Sequence, residues 1–238
     1  MAREGRLLAT TVGRKLLNGL TGFGLFAFVV GHLVGNLTLL LGPDAFNGYA
    51  AFLEGLGHGA AVILIEIGLV AFFVVHIVTG TRIWLRKRAA RPTAYAVVGD
   101  AGGASRKTLS SRSMLLSGVF LLVFVVLHVS HFKLGTVYTT TLHGEEVRDL
   151  YRLVIEEFNQ PAITAAYVLA MLFLGLHLRH GAWSMIQTLG ATNRRLLPAL
   201  YGGGAIVAIV LALGFIALPL YVLLVLDPAT TSAIGGMP

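Results

Sequence analysis

The most constraining feature of this chain is a set of apolar segments that are too long for the helices of a water-soluble domain. Each segment is close to or longer than the roughly 20 residues that an α-helix needs to cross a bilayer. Residues that break helices coincide with their ends: Gly42-Pro43 closes the first, Pro161 opens the fourth and Asp227-Pro228 closes the fifth. The sequence therefore predicts an all-α integral membrane protein, a single membrane domain over residues 1–238 with five transmembrane helices in a bundle. The predicted helices cover about residues 16–41, 61–85, 113–132, 161–188 and 203–226.

The composition agrees with this class and excludes several others. Apolar residues make up 56% of the 238 and charged residues only 12%, and the mean hydropathy is +0.80. A soluble chain would carry about twice that share of charge. The chain has no cysteine, which excludes disulfides, covalently attached c-type haem and cysteine-ligated iron–sulfur clusters within it. The first segment is long enough to cross and is followed by no cleavage site, so no cleavable signal peptide is expected.

The basic residues predict the direction in which the helices run. Of the 18 Lys and Arg residues, 15 fall in three regions: the N-terminus, the connection after the second segment and the connection after the fourth. The other side has only Lys133, Arg148 and Arg152, together with an acidic group. Because basic loops stay in the cytoplasm, the N-terminus is predicted to be cytoplasmic and the C-terminus outside. The same distribution accounts for the net charge of +7, so no nucleic-acid partner is expected.

Most of the histidines of this chain lie in or at the edge of the apolar segments. Six of the eight fall in or at the edge of a segment, and ionisable residues at such depth are costly and tend to be functional. The two others, His58 and His143, lie in the outer loops. The six are His32, His76, His128, His131, His177 and His180.

The position of each histidine along its helix gives its depth in the membrane, and these depths group the histidines into two pairs. The first and third helices run outward and the second and fourth inward, and on each helix the histidines come late. His32 and His128 are therefore predicted in the outer half, and His76 in the inner half with His177 or His180. His128/His131 and His177/His180 are doublets three residues apart on one helix face, so depth alone does not choose within either doublet, although the place of His131 beside Lys133 near the interface favours His128. Two imidazoles from facing helices are what a six-coordinate haem in a helix bundle needs. With both axial positions filled, the predicted chemistry is electron transfer by two b-type haems.

The residues around these histidines carry a family resemblance. The relevant stretches are HLVGNL at 32–37, GPDAFNGY at 42–49, RPTAY at 91–95, SRSM at 111–114, LHVSHF at 127–132 and HLRHGAWS at 177–184. Together, in this order and spacing, they resemble the five-helix cytochrome b membrane anchor of succinate:quinone oxidoreductases, the succinate dehydrogenases. The resemblance is to the dihaem form with a single anchor polypeptide, and it covers roughly residues 15–225.

The resemblance implies four axial ligands, His32, His76, His128 and His177, with His131 and His180 as contacts around the ligands or to the haem propionates. In the family the ligands lie on the first, second, fourth and fifth helices, whereas here they fall on segments one to four, which leaves the helix correspondence open. The implied route takes electrons from an FAD-containing flavoprotein through an iron–sulfur subunit, which docks on the basic cytoplasmic face, to the two haems and then to menaquinone. This places the chain in a bacterial cytoplasmic membrane, as the quinone-reducing subunit of the enzyme, with membrane lipids around it and no chemistry on succinate of its own.

Four further residues are candidates around the haems. Arg179 and Arg82 lie near the inner histidines, where either is expected to pair with haem propionates or to reach the cytoplasmic surface. Glu66 lies inside the second segment and Glu54 in an outer loop, and both are candidates for a quinone site. For Glu66 the alternative is a carboxylate that is hydrogen-bonded to a neighbouring helix or that faces a water-filled vestibule. Some fumarate-reducing relatives have a glutamate where this chain has Gly175, which favours succinate oxidation here.

Three other functions compete with this interpretation. The nearest is the dihaem cytochrome b subunit of another respiratory complex: a fumarate reductase, nitrate reductase, hydrogenase or formate dehydrogenase. A transporter or proton channel would use the histidines as a relay, without haem, and would usually carry more intramembrane carboxylates than Glu66 alone. A haem-free structural anchor would not explain why the histidines lie in pairs at matching depths.

Overall fold

Long helices dominate the structure, a computed structural model that describes residues 10–90, 108–190, 195 and 197–226. Within these ranges, five helices are long and apolar enough to cross a membrane, which confirms the five predicted segments. They are Thr11–Leu41, Pro43–Ala89, Met114–Phe132, Pro161–Thr188 and Pro198–Val225. Two of the predicted motifs, RPTAY at 91–95 and Asp227-Pro228, lie outside the described residues.

The first half of the chain contains three helices joined by tight 3₁₀ turns. Gly42 ends the first stretch with a φ of 99°, in the region that favours glycine, and Pro43 then occupies the first turn of the next helix, where its missing N–H costs nothing. A second break follows at Gly57 and His58, both with left-handed φ values near 58° and 55°. The elements are α1 (Thr11–Asn36), a 3₁₀ helix (Leu37–Leu41), α2 (Pro43–Gly55), a 3₁₀ helix (Leu56–Gly59) and α3 (Ala60–Ala89).

The second half adds a short capped turn, a hairpin and four more helices. Thr108 and Ser111 form a reciprocal capping box at the start of the short turn, and the Asp149 carboxylate accepts from the Arg152 N–H at the start of another helix. The elements are α4 (Leu109–Arg112), α5 (Met114–Phe132), β1 (Thr139–Leu142), β2 (Glu145–Arg148), α6 (Leu150–Phe158), α7 (Pro161–Thr188) and α8 (Leu197–Val225).

The observed helix ends differ most from the predicted ends where the apolar segment stops but the hydrogen bonds of the helix continue. α3 continues through Arg86, Lys87 and Arg88, because charged residues stop an apolar segment without stopping a helix. α8 begins at Leu197, six residues before the predicted start at 203, because Pro198 is tolerated in a first turn. Helix α2, the hairpin and α6 were not among the predicted elements, since their sequences are too short or too polar to cross a membrane.

The hairpin and α6 form a small polar elaboration between α5 and α7. β1 and β2 pair antiparallel, with Thr139 opposite Arg148 and Leu142 opposite Glu145. The two residues between the strands, His143 and Gly144, have φ values of 52° and 85°, as a two-residue type I′ turn requires.

Asn47 ties this elaboration to helix α2. The side chain is 2% exposed. Its Nδ2 donates to the Asp149 carboxylate at 2.8 Å, and its Oδ1 accepts from the Tyr151 N–H at 2.9 Å. The single amide therefore holds the start of α6 against α2.

The described contacts group into two compact units. Among the described residues, one contains 10–28, 68–90, 108–119, 175–190, 195 and 197–209, and the other 29–67, 120–174 and 210–226. In the first unit small residues allow close approach: a Cβ on Gly19 would lie 3.2 Å from Thr188, and one on Gly204 would lie 3.4 Å from Ala182.

The second unit packs larger side chains. Phe120 and Phe173 stack with ring centroids 4.3 Å apart. Leu33 fills the space beside Gly214, and α6 buries Leu153, Val154 and Ile155. The described residues of each unit thus form their own core.

Candidate functional site

The structure brings four of the predicted histidines together as two pairs, one in each unit. The first pair is His76 on α3 and His177 on α7, with ring centroids 6.3 Å apart and ring planes at 64°. The second pair is His32 on α1 and His128 on α5, with centroids 5.7 Å apart and planes at 84°. In both doublets the member that meets a partner is the earlier one, a choice that spacing left open for His177 and His180.

Small and hydroxylated residues surround the first pair. A Cβ on Gly22 would lie 3.3 Å from Cε1 of His76, and one on Gly118 would lie 3.5 Å from Cε1 of His177. Nδ1 of His177 is 3.0 Å from the Ser117 hydroxyl oxygen, and Ser117 is fully buried. The space beside each ring thus depends on residues with almost no side chain.

The other imidazole of the first pair is held less directly. Its Nδ1 is buried and, within the described structure, has no hydrogen-bond partner. The Asn18 backbone carbonyl faces the ring of His76. The Asn18 side chain is engaged elsewhere, because its Oδ1 accepts from the Thr79 hydroxyl at 3.0 Å.

The second pair lies among aromatic rings and one amide. Phe215 is 5.8 Å from the His32 ring, and Phe124 stacks on His128 at 5.7 Å. The Asn36 Nδ2 atom is nearly equidistant from Nδ1 and Nε2 of His32, at 3.5 and 3.4 Å, while it donates to the His32 carbonyl at 2.7 Å. The Asn36 amide therefore lies against the His32 ring as a whole and does not single out one of its two nitrogens.

Tyr167 contacts both His128 of the second pair and His131, the other histidine on the same helix. Its hydroxyl is 3.5 Å from Nδ1 of His128 and 3.5 Å from Nδ1 of His131. His131 stacks on the Tyr167 ring, and its Nδ1 is 4.0 Å from the Glu157 carboxylate. His131 thus lies beside the pair, in contact with an acidic residue of α6, and not between the two imidazoles.

The two arginine candidates have different positions. Arg179 donates from Nη1 to the Ser110 hydroxyl at 3.1 Å, and its guanidinium lies 6.0 Å from the Tyr201 ring centroid. Arg82 is exposed on α3. His180, the second member of the inner doublet, is half-buried on α7.

The two carboxylate candidates also differ. Glu66 forms an ion pair with Lys133 at the end of α5, and the side chains of Glu66 and Lys133 are 44% and 53% exposed. The alternative of a carboxylate bonded to a neighbouring helix is therefore what the structure shows for Glu66, in place of a buried lone acid. Glu54 is exposed near the end of α2.

The glycines that flank the histidines in sequence are not the ones that lie against the imidazole rings. Gly31, Gly35 and Gly80 flank histidines in sequence, yet a Cβ on Gly35 would meet Tyr49 and one on Gly80 would meet Asn18. The glycines that lie against imidazoles, Gly22 and Gly118, are on neighbouring helices. Sequence adjacency fails here because the residue that faces a ring belongs to the helix packed against it.

The donor set fits a haem iron. Two imidazoles on opposite sides of one metal, each with a metal–nitrogen bond of about 2 Å, place their ring centroids about 6 Å apart. Both observed separations agree with this. Among the residues that the structure describes, no group of three or more His, Cys, Asp or Glu side chains is arranged to hold a metal. Each pair contributes two imidazole donors from two different helices.

Sequence reasoning also missed two residues whose hydroxyls lie beside these imidazoles, Ser117 and Tyr167. Ser117 comes early in the third apolar segment and Tyr167 early in the fourth, each about three turns before a histidine of its own helix. Both meet a histidine of a different helix, which a single sequence does not reveal.

Comparison with models of protein families, with curated proteins and with solved structures finds no match for this chain.

Proposed function

We propose that this chain is the membrane anchor and cytochrome b subunit of a succinate dehydrogenase, with two haems b held by the pairs His76/His177 and His32/His128. The observation that carries the proposal is that four of the eight histidines form two cross-helix pairs at a separation suited to one iron each. One such pair is a common packing outcome for membrane helices. Two pairs, on four different helices, favour a shared purpose.

The surface of the long helices supports a membrane location. Large apolar side chains are exposed along them, including Val30 and Val34 on α1, Ile67 on α3 and Val126 on α5. Apolar surface of this extent is unfavourable in water and matches a lipid environment. We place the N-terminus in the cytoplasm of a bacterial cell and the C-terminus outside, because 15 of the 18 basic residues then lie on the cytoplasmic side.

The chemistry follows from the donors. His76 and His177 would hold one haem and His32 and His128 the other, and bound haem would supply one-electron transfer. Aromatic side chains beside the second pair, Phe215 and Phe124, would limit access of water to it. In this proposal an iron–sulfur subunit, itself reduced by a flavoprotein, docks on the basic cytoplasmic side, and menaquinone accepts the electrons. Arg179 is the better placed of the two arginines to pair with a propionate, since Arg179 is half-buried and Arg82 is exposed.

The quinone site is proposed at the outer side, where Glu66 and Glu54 are the candidate acids. The Glu66–Lys133 ion pair changes how the first would act. A quinone at this position would meet a carboxylate with its own cationic partner, so Lys133 becomes a second candidate for a hydrogen bond to a quinone oxygen.

The first test is a haem count. The purified membrane chain should give two b haems per polypeptide in a pyridine haemochrome assay and a dithionite-reduced minus oxidised spectrum typical of b haem. His76→Ala, His177→Ala, His32→Ala and His128→Ala should each lose one haem. The controls are His58→Asn and His143→Asn in the loops, where Asn also tolerates the left-handed backbone. A wild-type chain with no haem would refute the cytochrome and leave a proton relay or bare anchor.

The second test identifies the partners. A flavoprotein and an iron–sulfur subunit that copurify, with succinate:menaquinone activity, would support the assignment to succinate dehydrogenase. Copurification with a molybdenum- or nickel-containing subunit would instead assign the chain to a nitrate reductase, formate dehydrogenase or hydrogenase. In that case the haem assignment would stand and the succinate assignment would fall.

A further inference from the structure

The Ser117 hydroxyl is the side-chain contact that most directly constrains an imidazole of the first pair. Its oxygen lies 3.0 Å from Nδ1 of His177, across from α5 to α7. Ser117 is 0% exposed, so bulk water does not compete for the hydroxyl. The hydroxyl therefore belongs to the environment of this one ring.

The remaining hydrogen bond of Ser117 indicates which group donates. The hydroxyl lies 3.2 Å from the Met114 carbonyl, one turn earlier on the same helix, and donates its single proton there. Its lone pairs are then free to accept from Nδ1–H of His177. A neutral imidazole has one N–H, so a proton fixed on Nδ1 leaves Nε2 with the lone pair that a metal needs.

We propose that Ser117 is a positioning residue that fixes the Nδ1–H tautomer of His177 and presents Nε2 to the iron. This inference rests on the proposed haem function and deepens it. A hydrogen bond to the far nitrogen of a ligating histidine makes the ligand more basic, and loss of such a partner typically costs 10- to 100-fold in metal affinity or activity. A more basic ligand favours ferric iron, so Ser117 lowers the reduction potential of the haem at this pair.

The second pair offers a weaker counterpart. The Tyr167 hydroxyl lies 3.5 Å from Nδ1 of His128 and divides its contact with His131 at the same distance. A longer, shared contact constrains its imidazole less than the one at Ser117. The two haems are therefore expected to respond unequally when the hydroxyl beside each pair is removed.

The test uses the full chain purified in its complex. Ser117→Ala removes the hydroxyl and keeps a good helix former, and Ser117→Thr restores it. The matched control is Ser130→Ala on the same helix, whose hydroxyl donates to the Leu127 carbonyl at 2.7 Å on an exposed face. Each protein is assayed for haem per chain, for the potentials of both haems by redox titration and for the low-spin ferric EPR signals. The haem that is missing in His177→Ala identifies the signal to follow.

The expected result for Ser117→Ala is a rise in the potential of that haem alone. A tenfold change in the ferric-to-ferrous ratio corresponds to 59 mV for a one-electron couple. Loss of this one haem, with two retained in Ser130→Ala and recovery in Ser117→Thr, would support the same role. If Ser117→Ala binds two haems with wild-type potentials and EPR signals, the inference is overturned and the proposed function stands. If the wild-type protein binds no haem, both are overturned.

Discussion

Leu33 lies so close to Gly214 that a Cβ added to the glycine would be 2.8 Å from Cδ2 of the leucine. Leu33 is 7% exposed, so its side chain has little room to move away. We expect Gly214→Ala to destabilise the protein by about 1–3 kcal/mol, as overpacked core positions do. The control is Gly203→Ala on the same helix, where nothing lies within 4 Å of the added Cβ. Thermal unfolding in detergent, followed by circular dichroism, compares the two. Equal stabilities would show that Leu33 does not close this space.

The two histidine doublets provide a prediction about ligand choice. Only His128 and His177 meet an imidazole of another helix, whereas His131 stacks on Tyr167. We therefore expect His131→Ala and His180→Ala to retain two haems, while His128→Ala and His177→Ala each retain one. The haemochrome assay measures this directly. Loss of a haem in His131→Ala or His180→Ala, with retention in its doublet partner, would reverse the assignment within that doublet.

The Glu66–Lys133 ion pair predicts coupled effects of substitution. Both side chains are about half exposed, so the pair should contribute no more than about 1 kcal/mol in aqueous surroundings. Glu66→Gln and Lys133→Gln are expected to have similar small effects on stability, and the double variant should add little to either. The measurement is a double-mutant cycle on thermal unfolding. Strictly additive effects would mean that the two side chains act independently.

Quinone turnover separates a structural role of this pair from a chemical one. If Glu66 handles protons for quinone, Glu66→Gln lowers the rate of quinone reduction while Lys133→Gln changes mainly the KM for quinone. If the pair only joins two helices, both variants leave turnover unchanged. Glu54→Gln, at an exposed position on α2, serves as the comparison.

Asn47 is expected to be the most sensitive polar residue between α2 and α6. Asn47→Ala removes a donor to Asp149 and an acceptor from the Tyr151 N–H. Since buried groups would be left without partners, we expect a loss of about 1–3 kcal/mol. Gln160→Ala, at an exposed position just after α6, should change stability little. Limited proteolysis, read by mass spectrometry, would show whether cleavage rises in residues 139–158, and an unchanged digestion pattern would contradict this role.

Five long helices and the pairing of histidines were predictable because both follow from local sequence. Apolar length marks a helix that can cross a membrane, and the place of His32 or His76 along its helix can be counted in residues. The rotation of each helix about its axis is not visible in this way. For that reason the glycines next to the histidines in sequence, such as Gly31 and Gly35, proved unrelated to the rings, and Gly22 and Gly118 were missed.

Glu66 illustrates a second limit of the sequence. Its place inside an apolar segment suggested a lone acid, but its partner lies 67 residues away, at the end of α5. In the sequence, Lys133 counts only among the three basic residues of the outer side. An ion pair between two helices depends on how those helices pack, and no spacing rule within one segment reports it. The same holds for Ser117, whose buried hydroxyl meets a ring on α7.

Each imidazole pair takes its histidines from its own two helices, α1 with α5 and α3 with α7, while α5 and α7 also bring Ser117 and Tyr167 to the other pair. The histidines of one pair can therefore be lost without removing an imidazole of the other. Under the proposed function, a descendant that lost either histidine of one pair would keep the other pair complete and would be a cytochrome with a single haem. Such a chain would need no rearrangement of the helices that carry the surviving ligands.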